Sequence, residues 1–360
     1  MTTSPSAVPT GAPRSATSAD ELVRAVVGDV RDHGLTRIGA DGQDVVELLS
    51  VGTVLTDPRA RLMTSELHPA VVNPGLAVAR FLYLLSGSNS LEAIAFYSPA
   101  ARRFSDDGLT MPGGAHGFRL FRPTPSTDQV ARLLDVLRSE PARNRGAVTV
   151  YFPDDCGSPT VDLTCVMGAL FTLKSGALQT LVTMRANDAL RLLWYDLFEF
   201  SMLGEFAAAS CGYPLGAYYH SSFVMMLIGA ANGSLADELR HESVRTKPMA
   251  PMPPVLETTR RDVVLAEAIL RSRATTGTTA DFQGLIDELG ARHEPYWADL
   301  LAAAALQGRW VNRGREVVAA EVDRLRLPGT AEVSELVRAN SVRMLRQRGS
   351  RPDRAPAPQS

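Results

Sequence analysis

Cysteine is scarce. Three occur in 360 residues, Cys156, Cys165 and Cys211, and none sits in a Cys-x-x-Cys spacing. That argues against a disulfide framework and against a zinc site, so no metal is expected. Charge of one sign is not in excess either: 37 Lys and Arg against 39 Asp and Glu leave a formal net charge of -2. No sequence-wide field favours nucleic acid, and the Arg pairs at 102/103 and 143/145 read as phosphate ligands or solvated surface. A long apolar run is missing too. The longest, around Phe223-Val-Met-Met-Leu-Ile228, is too short to span a bilayer. The first residues are Ser, Thr, Pro and Ala without a basic-then-apolar signal, and a cytoplasmic location away from membranes is expected. With 45% apolar and 21% charged residues the chain has enough material for a main domain and a smaller second one.

What the chain does have is a symmetric pair of segments. Thr164-Cys-Val-Met-Gly-Ala-Leu-Phe-Thr-Leu173 and Ala177-Leu-Gln-Thr-Leu-Val-Thr-Met-Arg185 are rich in β-branched and apolar residues. They flank Lys174-Ser175-Gly176, a short hairpin signal. With the turn centred on Ser175, Cys165 and Arg185 each lie ten residues from it and face one another across the ladder on one side. A lone cysteine in a strand ordinarily packs. A guanidinium opposite it changes that reading, because a neighbouring cation favours the thiolate, the nucleophilic form. Asp188 follows and opens a long helix, where a carboxylate suits the dipole. The cluster reads as an anion-binding nucleophile site.

Cys165, Gly176, Arg185 and Asp188 resemble the thymidylate synthase core, whose pattern is Cys-His, a Gly eleven residues after the Cys, and Arg-Ser-x-Asp. The Cys-to-Arg spacing of twenty and the Cys-to-Asp spacing of twenty-three are the same. Further pieces follow in order. Phe81-Leu-Tyr-Leu-Leu-Ser-Gly87 resembles the family's helix ending in Gln-Gly, and Pro125-Ser-Thr-Asp-Gln129 its Asp-Gln segment. Pro141-Ala-Arg-Asn-Arg145 resembles its Ser-Arg-Arg segment, and His220 its His-x-Tyr. The resemblance covers about residues 45 to 250. It implies an α/β (α+β), thymidylate synthase-like fold and 5,10-methylenetetrahydrofolate as one-carbon donor. It also implies a homodimer in which Arg145 acts across the interface. Cys165 is then the nucleophile that adds to C6 of a pyrimidine nucleotide. Arg185, Arg145 and Arg59, or Arg61 in the same loop, hold the phosphate, Asp188 belongs to the binding set, and His220 contacts the sugar.

The departures narrow the substrate. Eight residues after Asp188 the family carries an Asn that reads the uracil edge; here the position is Asp196, inside Leu192-Leu-Trp-Tyr-Asp-Leu-Phe198. A carboxylate accepts from the cytosine 4-amino group, and a carboxylic acid donates to cytosine N3. The bland alternative is a buried Asp paired with an Arg or capping a turn, since a carboxylate in so apolar a run needs a partner. The same change marks the cytidylate hydroxymethylases of the family. Ala186 stands for the family's Ser after the Arg, and Ser222 for the Tyr two after the His. Both changes make room for a ribose 2′-OH, or are drift at packing positions. The combination resembles the CMP 5-hydroxymethylases of nucleoside-antibiotic pathways such as mildiomycin biosynthesis more than the phage deoxycytidylate enzymes. The family's catalytic Glu falls on Arg80 and its Trp near Tyr97, which leaves Glu92 and His116 as alternative substitutes.

The resemblance therefore implies a folate-dependent hydroxymethyltransferase that converts CMP to 5-hydroxymethyl-CMP with water as the last reactant. dCMP hydroxymethylation, pyrimidine methylation and non-catalytic nucleotide binding are the alternatives. In organisation, residues 1–18 read as a disordered tail, 19–250 as the catalytic domain, 255–347 as a helical extension and 348–360 as a second tail. Ser18-Ala-Asp-Glu21 is a capping-box signal. Strands are expected around Asp57-Pro58, and helices near 74–86, 126–139 and from Asp188 to Cys211 with Gly212 closing. Beyond a hinge at Pro248-Met-Ala-Pro-Met-Pro-Pro254, helices are expected near 258–273, 278–290, 294–307, 314–326 and 331–347.

Overall fold

The structure is a computed structural model describing residues 10–39, 42–122, 127–229, 231–242, 247–313, 321, 324–328 and 331–349. Seven strands form one mixed sheet among these residues: β1 (Arg14–Ala16), β2 (Leu35–Ile38), β3 (Asp44–Leu55), β4 (Gly146–Thr149), β5 (Val166–Lys174), β6 (Ala177–Asp188) and β7 (Leu215–Ile228). The order is β1-β3-β7-β6-β5-β4, with β2 also on β3. β1 with β3 and β6 with β7 run parallel; the other pairs are antiparallel. The first tail is thus partly a strand, since β1 lies on β3. Residues 1–9 lie outside the described set, as do 350–360 of the second tail.

Lys174 pairs with Ala177, so the hairpin turn is the dipeptide Ser175-Gly176, with φ of 51° and 77°. Positive φ at both positions is the primed geometry whose twist matches the flanking strands, and Gly meets it at no steric cost. β6 then leads through a turn into α6 (Leu193–Cys211), which crosses over to the parallel β7. This helix is apolar almost all round and buried along most of its length, as a central helix must be. Gly212 closes it at φ 73°. Asp188 does not cap it. Asp188 is the last residue of β6, and its Oδ1 accepts from the N–H groups of Leu190 (2.9 Å) and Arg191 (2.8 Å) in the intervening turn.

The sheet is covered on one face by α1 (Ala19–His33) and α6, and α2 (Pro74–Ser86) packs on α6. α1 starts where Ser18 Oγ accepts from Glu21 N–H (3.3 Å) and buries Leu22, Val23, Val26, Val27 and Val30 at helical spacing. The return bond of the capping box goes to Thr17 instead, whose N–H meets Glu21 Oε2 at 3.4 Å. β3 ends at Leu55, before Asp57-Pro58, and a loop carrying Arg59 and Arg61 follows. The short helices α3 (Leu91–Ala95) and α4 (His116–Phe121) and then α5 (Gln129–Ser139) complete this side. The opposite face of the sheet is open: one row across the strands reads Leu170, Leu181, Tyr219 and Val54. Leu170 is 52% exposed and Phe223, nearby on β7, 63%.

Past α7 (Ala231–His241), four helices among the described residues form the C-terminal extension: α8 (Thr259–Arg273), α9 (Thr279–Arg292), α10 (Pro295–Asn312) and α11 (Glu332–Gly349). The helix expected near 314–326 falls largely outside the described residues. The extension packs on α2 and its neighbours through polar locks as well as apolar contact. Arg260 Nε donates to Leu85 O (2.7 Å), Gln307 Nε2 to Tyr97 O (3.0 Å), Asn340 Nδ2 to Pro69 O (2.9 Å), and the Tyr97 hydroxyl to Glu267 (2.7 Å). The proline-rich segment before it is docked rather than a free hinge. Met249 and Met252 are buried, Met249 N–H meets Arg59 O (2.9 Å) and Met252 N–H meets Glu205 Oε1 (3.1 Å).

Candidate active site

Cys165 immediately precedes β5, half-buried, and the backbone N–H of Arg185 on β6 donates to its carbonyl over 2.9 Å. The expected pairing of Cys165 and Arg185 therefore holds, by way of a bulge. Gly168 pairs with Thr183 but Val166 with Met184, so one residue, Met167, is extra. Without it Cys165 would oppose Ala186. The Arg185 guanidinium turns back along the same strand end, with Nε on Thr164 O (2.9 Å) and Nη2 on Leu163 O (3.1 Å). In the free protein the thiol is not the ready thiolate that the facing cation suggests. Burial pushes its pKa up, Arg185 pulls it down, Asp196 and Asp162 add to the rise, and the net result lies above the ordinary value.

Asp196 occupies the first turn of α6 with its carboxylate buried, and its charge is felt at Cys165. Arg80 on α2 reaches it: Nη2 lies 3.0 Å from Asp196 Oδ1, while Nε lies 3.0 Å from Glu199 Oε2 one helical turn further on. Glu199 Oε1 in turn meets His116 Nδ1 at 2.8 Å. Four ionisable groups from three helices thus form one buried chain, His116–Glu199–Arg80–Asp196. Burial pushes Asp196 up to about 6, against the pull of Arg80 and His116. Burial also pushes Glu199 up, but Arg80 and His116 outweigh it and leave Glu199 below the ordinary carboxylate value. One carboxyl of the pair stays ionised while the other titrates near neutrality.

Glu199 is the residue that sequence reasoning misses. Its signal is a second carboxylate three residues after Asp196 in the same apolar helix, facing the same way. Of the two substitutes for the acid displaced by Arg80, His116 is in the network, while Glu92 is exposed on α3. The segment before His116 is fastened to the segment that leads into Cys165: Gly113 and Gly114 N–H donate to Asp162 Oδ2 at 2.8 and 2.6 Å. A Cβ on Gly113 would collide with Asp162 O and crowd Thr164 N, which is why this position takes Gly.

The other expected ligands are spread. Ala186 is half-buried on β6 beside the Cys165–Arg185 level, and Asp188 is buried with one carboxylate oxygen on the backbone. Arg59 is one-third exposed, with Nε on Glu205 Oε1 at 2.7 Å; Arg61, fully buried, pairs with the other oxygen of Glu205. His220 lies in the core with both ring nitrogens engaged, Nε2 with Asn187 Nδ2 and Nδ1 with the Tyr218 hydroxyl, each at 3.2 Å. Burial pulls its pKa down to about 4. Arg145 is exposed at the sheet edge, 3.1 Å from Glu140. Among the described residues no helix is long and apolar enough to cross a membrane.

Comparison with known proteins meets this geometry. Residues 91–227 match the model of the family described as thymidylate synthase. The chain is 33% identical over 192 residues to the deoxyuridylate hydroxymethyltransferase of Pseudomonas phage M6, covering 52% of this chain and 53% of that protein. It is 27% identical over 194 residues to the protein of that name from Bacillus phage SP01, 49% of each. The chain spans about half the length of the curated relatives it matches. Among solved structures it shares the fold of thermostable thymidylate synthase A from Bacillus subtilis, with a TM-score of 0.51, 20% identity, and coverage of 64% of this chain and 87% of that one. A matched segment that holds Cys165, Arg185 and Asp196, on a fold shared with a thymidylate synthase, makes the central part of this chain similar to the thymidylate synthase family.

Proposed function

We propose that the protein hydroxymethylates C5 of CMP, taking the one-carbon unit from 5,10-methylenetetrahydrofolate and the oxygen from water, as in nucleoside-antibiotic biosynthesis in the cytoplasm. The observation that carries the reading is Asp196: a carboxyl buried close to Cys165 and poised at about 6 accepts from the cytosine 4-amino group when ionised and donates to N3 when protonated. Cys165 adds through Sγ to C6, Arg185 favouring its thiolate, and C5 becomes nucleophilic. The folate, when bound, supplies carbon at the oxidation level of formaldehyde. The residues present fit that donor: the second carboxylate oxygen of Asp188 has no donor among the described residues and suits the N–H groups of a reduced pterin.

Arg185, with Arg59 and a partner's Arg145, holds the phosphate, His220 supports the sugar side, and Ala186 leaves space for the ribose 2′-OH. The open apolar row of Leu170, Leu181, Tyr219 and Val54 supports a homodimer, because an uncovered sheet face of this kind needs a partner. The names of the phage relatives favour a second reading, the same reaction on deoxyuridylate. Incubation with CMP, dCMP, UMP or dUMP plus methylenetetrahydrofolate, read by mass spectrometry, separates them. Gain of a CH2O unit on CMP above all supports the first reading. Preference for dUMP establishes the second, and gain of CH2 alone means a methylase.

A further inference from the structure

We propose that His116, oriented by Glu199, is the base that activates the water molecule which ends the reaction. The inference rests on the C5 hydroxymethylation reading, whichever pyrimidine nucleotide is used. Its ground is geometric. Glu199 accepts from Nδ1 of His116 at 2.8 Å, while Nε2 has no hydrogen-bond partner among the described residues. Nor is Nε2 among the fully enclosed polar atoms that lack a partner, so it keeps some exposure although the residue is buried. An ionised carboxylate accepts only, so the Nδ1 proton is held on Glu199 and the Nε2 lone pair is turned outward. Arg80 braces the arrangement from α2 by holding both Glu199 and Asp196. Asp162, three residues before Cys165, clamps the Gly113-Gly114 segment that leads into His116. The ring is thus fastened to the segment that carries Cys165.

Hydroxymethylation needs such a group at one step. Once the one-carbon unit has been passed to C5 and its nitrogen carrier has left, the pyrimidine holds an exocyclic methylene, with Cys165 Sγ still on C6. A water oxygen forms the new C–O bond to the methylene carbon, and its proton goes to His116 Nε2. The exocyclic π pair becomes the C5=C6 bond as the C6–S bond breaks, and its electrons leave with Cys165 as thiolate. No oxidant or reductant enters. A base that takes that proton contributes about 100-fold or more to the step.

The test separates hydration from the earlier steps. The full-length protein is given methylenetetrahydrofolate, 2-mercaptoethanol as a competing nucleophile, and each of CMP, dCMP, UMP and dUMP tritiated at C5. Tritium release reports steps up to loss of the C5 proton, and the ratio of hydroxymethyl product to thioether adduct reports the fate of the methylene. For His116→Ala and Glu199→Gln, tritium release should stay within a few-fold of wild type while the hydroxymethyl-to-thioether ratio falls at least about tenfold. Added imidazole should restore the ratio in His116→Ala. Should His116→Ala fail to unfold cooperatively, His116→Gln, which keeps a neutral polar side chain, carries the same readout. An unchanged ratio, or tritium release that falls in step with product, overturns the role of His116 and leaves the hydroxymethylation reading standing. A wild-type protein that converts none of the four nucleotides overturns both.

Discussion

Arg185 holds the segment ending in Cys165 twice, once through its backbone N–H on the Cys165 carbonyl at 2.9 Å and once through its guanidinium on the carbonyls of Thr164 and Leu163. The cation is therefore a brace before it is a ligand. Its charge pulls the thiol pKa down, but burial and two nearby carboxylates win in the free protein. Any thiolate must form against that balance, and a bound phosphate would not help it by charge. Of the groups around it, Arg185 is the one that favours the thiolate, so the thiolate depends on Arg185 staying close.

Replacing Cys165 with Ala should abolish turnover with little effect on stability, since the side chain is half-buried and small. Loss of a covalent catalyst costs on the order of 1,000-fold or more, so a residual rate above about a tenth of wild type would remove Cys165 from the mechanism. The measurement is steady-state product formation, with urea unfolding as the stability control.

The hairpin, α2, α5 and the main helices of the extension are legible in the sequence because each is carried by local chemistry. Ser175-Gly176 makes the turn, Gly87 and Gly212 close helices, and apolar residues recur at helical spacing. The Cys165–Arg185 pairing is legible as a spacing but not as a mechanism, because the bulge at Met167 that sets it leaves no local mark. The His116–Glu199–Arg80–Asp196 chain is harder still. Its members are separated by up to 119 residues, and nothing short of the packing of α2, α4 and α6 brings them together. Arg80 looks like the loss of an acid until Glu199 is seen across from it.

Arg80→Met should destabilise the protein by about 3 to 5 kcal/mol, because it strands the buried carboxylates of Asp196 and Glu199 without their cation. Arg80→Lys should recover only part, since one ammonium does not reproduce the two-nitrogen contact. Denaturant midpoints of the two variants decide this. A Met variant as stable as wild type would mean that the four-group chain is not closed in solution.

Acid should weaken the fold through His220. Burial holds its folded pKa at about 4 against an ordinary 6.5, so the folded state resists a proton that the unfolded chain accepts. The stabilisation is complete above pH about 6.5 and is lost as pH falls toward 4, to a limit of about 3 kcal/mol. Asp196, raised to about 6, works in the opposite direction over the same window, so the comparison must be with His220→Asn at each pH. The wild type should lose more stability than that variant between pH 7 and 4.5; parallel curves would show that His220 takes up its proton as readily in the fold as in the unfolded chain.

Asp196→Asn should move base preference from cytosine toward uracil, because the amide donates to O4 and accepts from N3–H in one orientation. An unsatisfied polar edge costs about 1 to 3 kcal/mol, so the ratio of kcat/KM for CMP to that for UMP should change about tenfold or more. The variant also loosens Arg80, which keeps Glu199 as its only buried carboxylate. Some loss of rate on every nucleotide is therefore expected. An unchanged ratio would assign Asp196 to the ion pair alone.

Ala186→Ser should raise activity on dCMP relative to CMP. Ala186 is half-buried on β6 one residue beyond Arg185, and in the proposed reading a hydroxyl placed there meets the nucleotide. It would crowd a ribose 2′-OH or hydrogen-bond the phosphate in a pose that favours the deoxy sugar. A term of about 1 kcal/mol predicts several-fold discrimination rather than an absolute switch. The check is kcat/KM for both nucleotides on wild type and variant. If the wild type already prefers the deoxynucleotide, or if the variant moves toward CMP, the space beside Ala186 is not what admits the ribose, and the deoxynucleotide reading shared with the phage relatives takes its place.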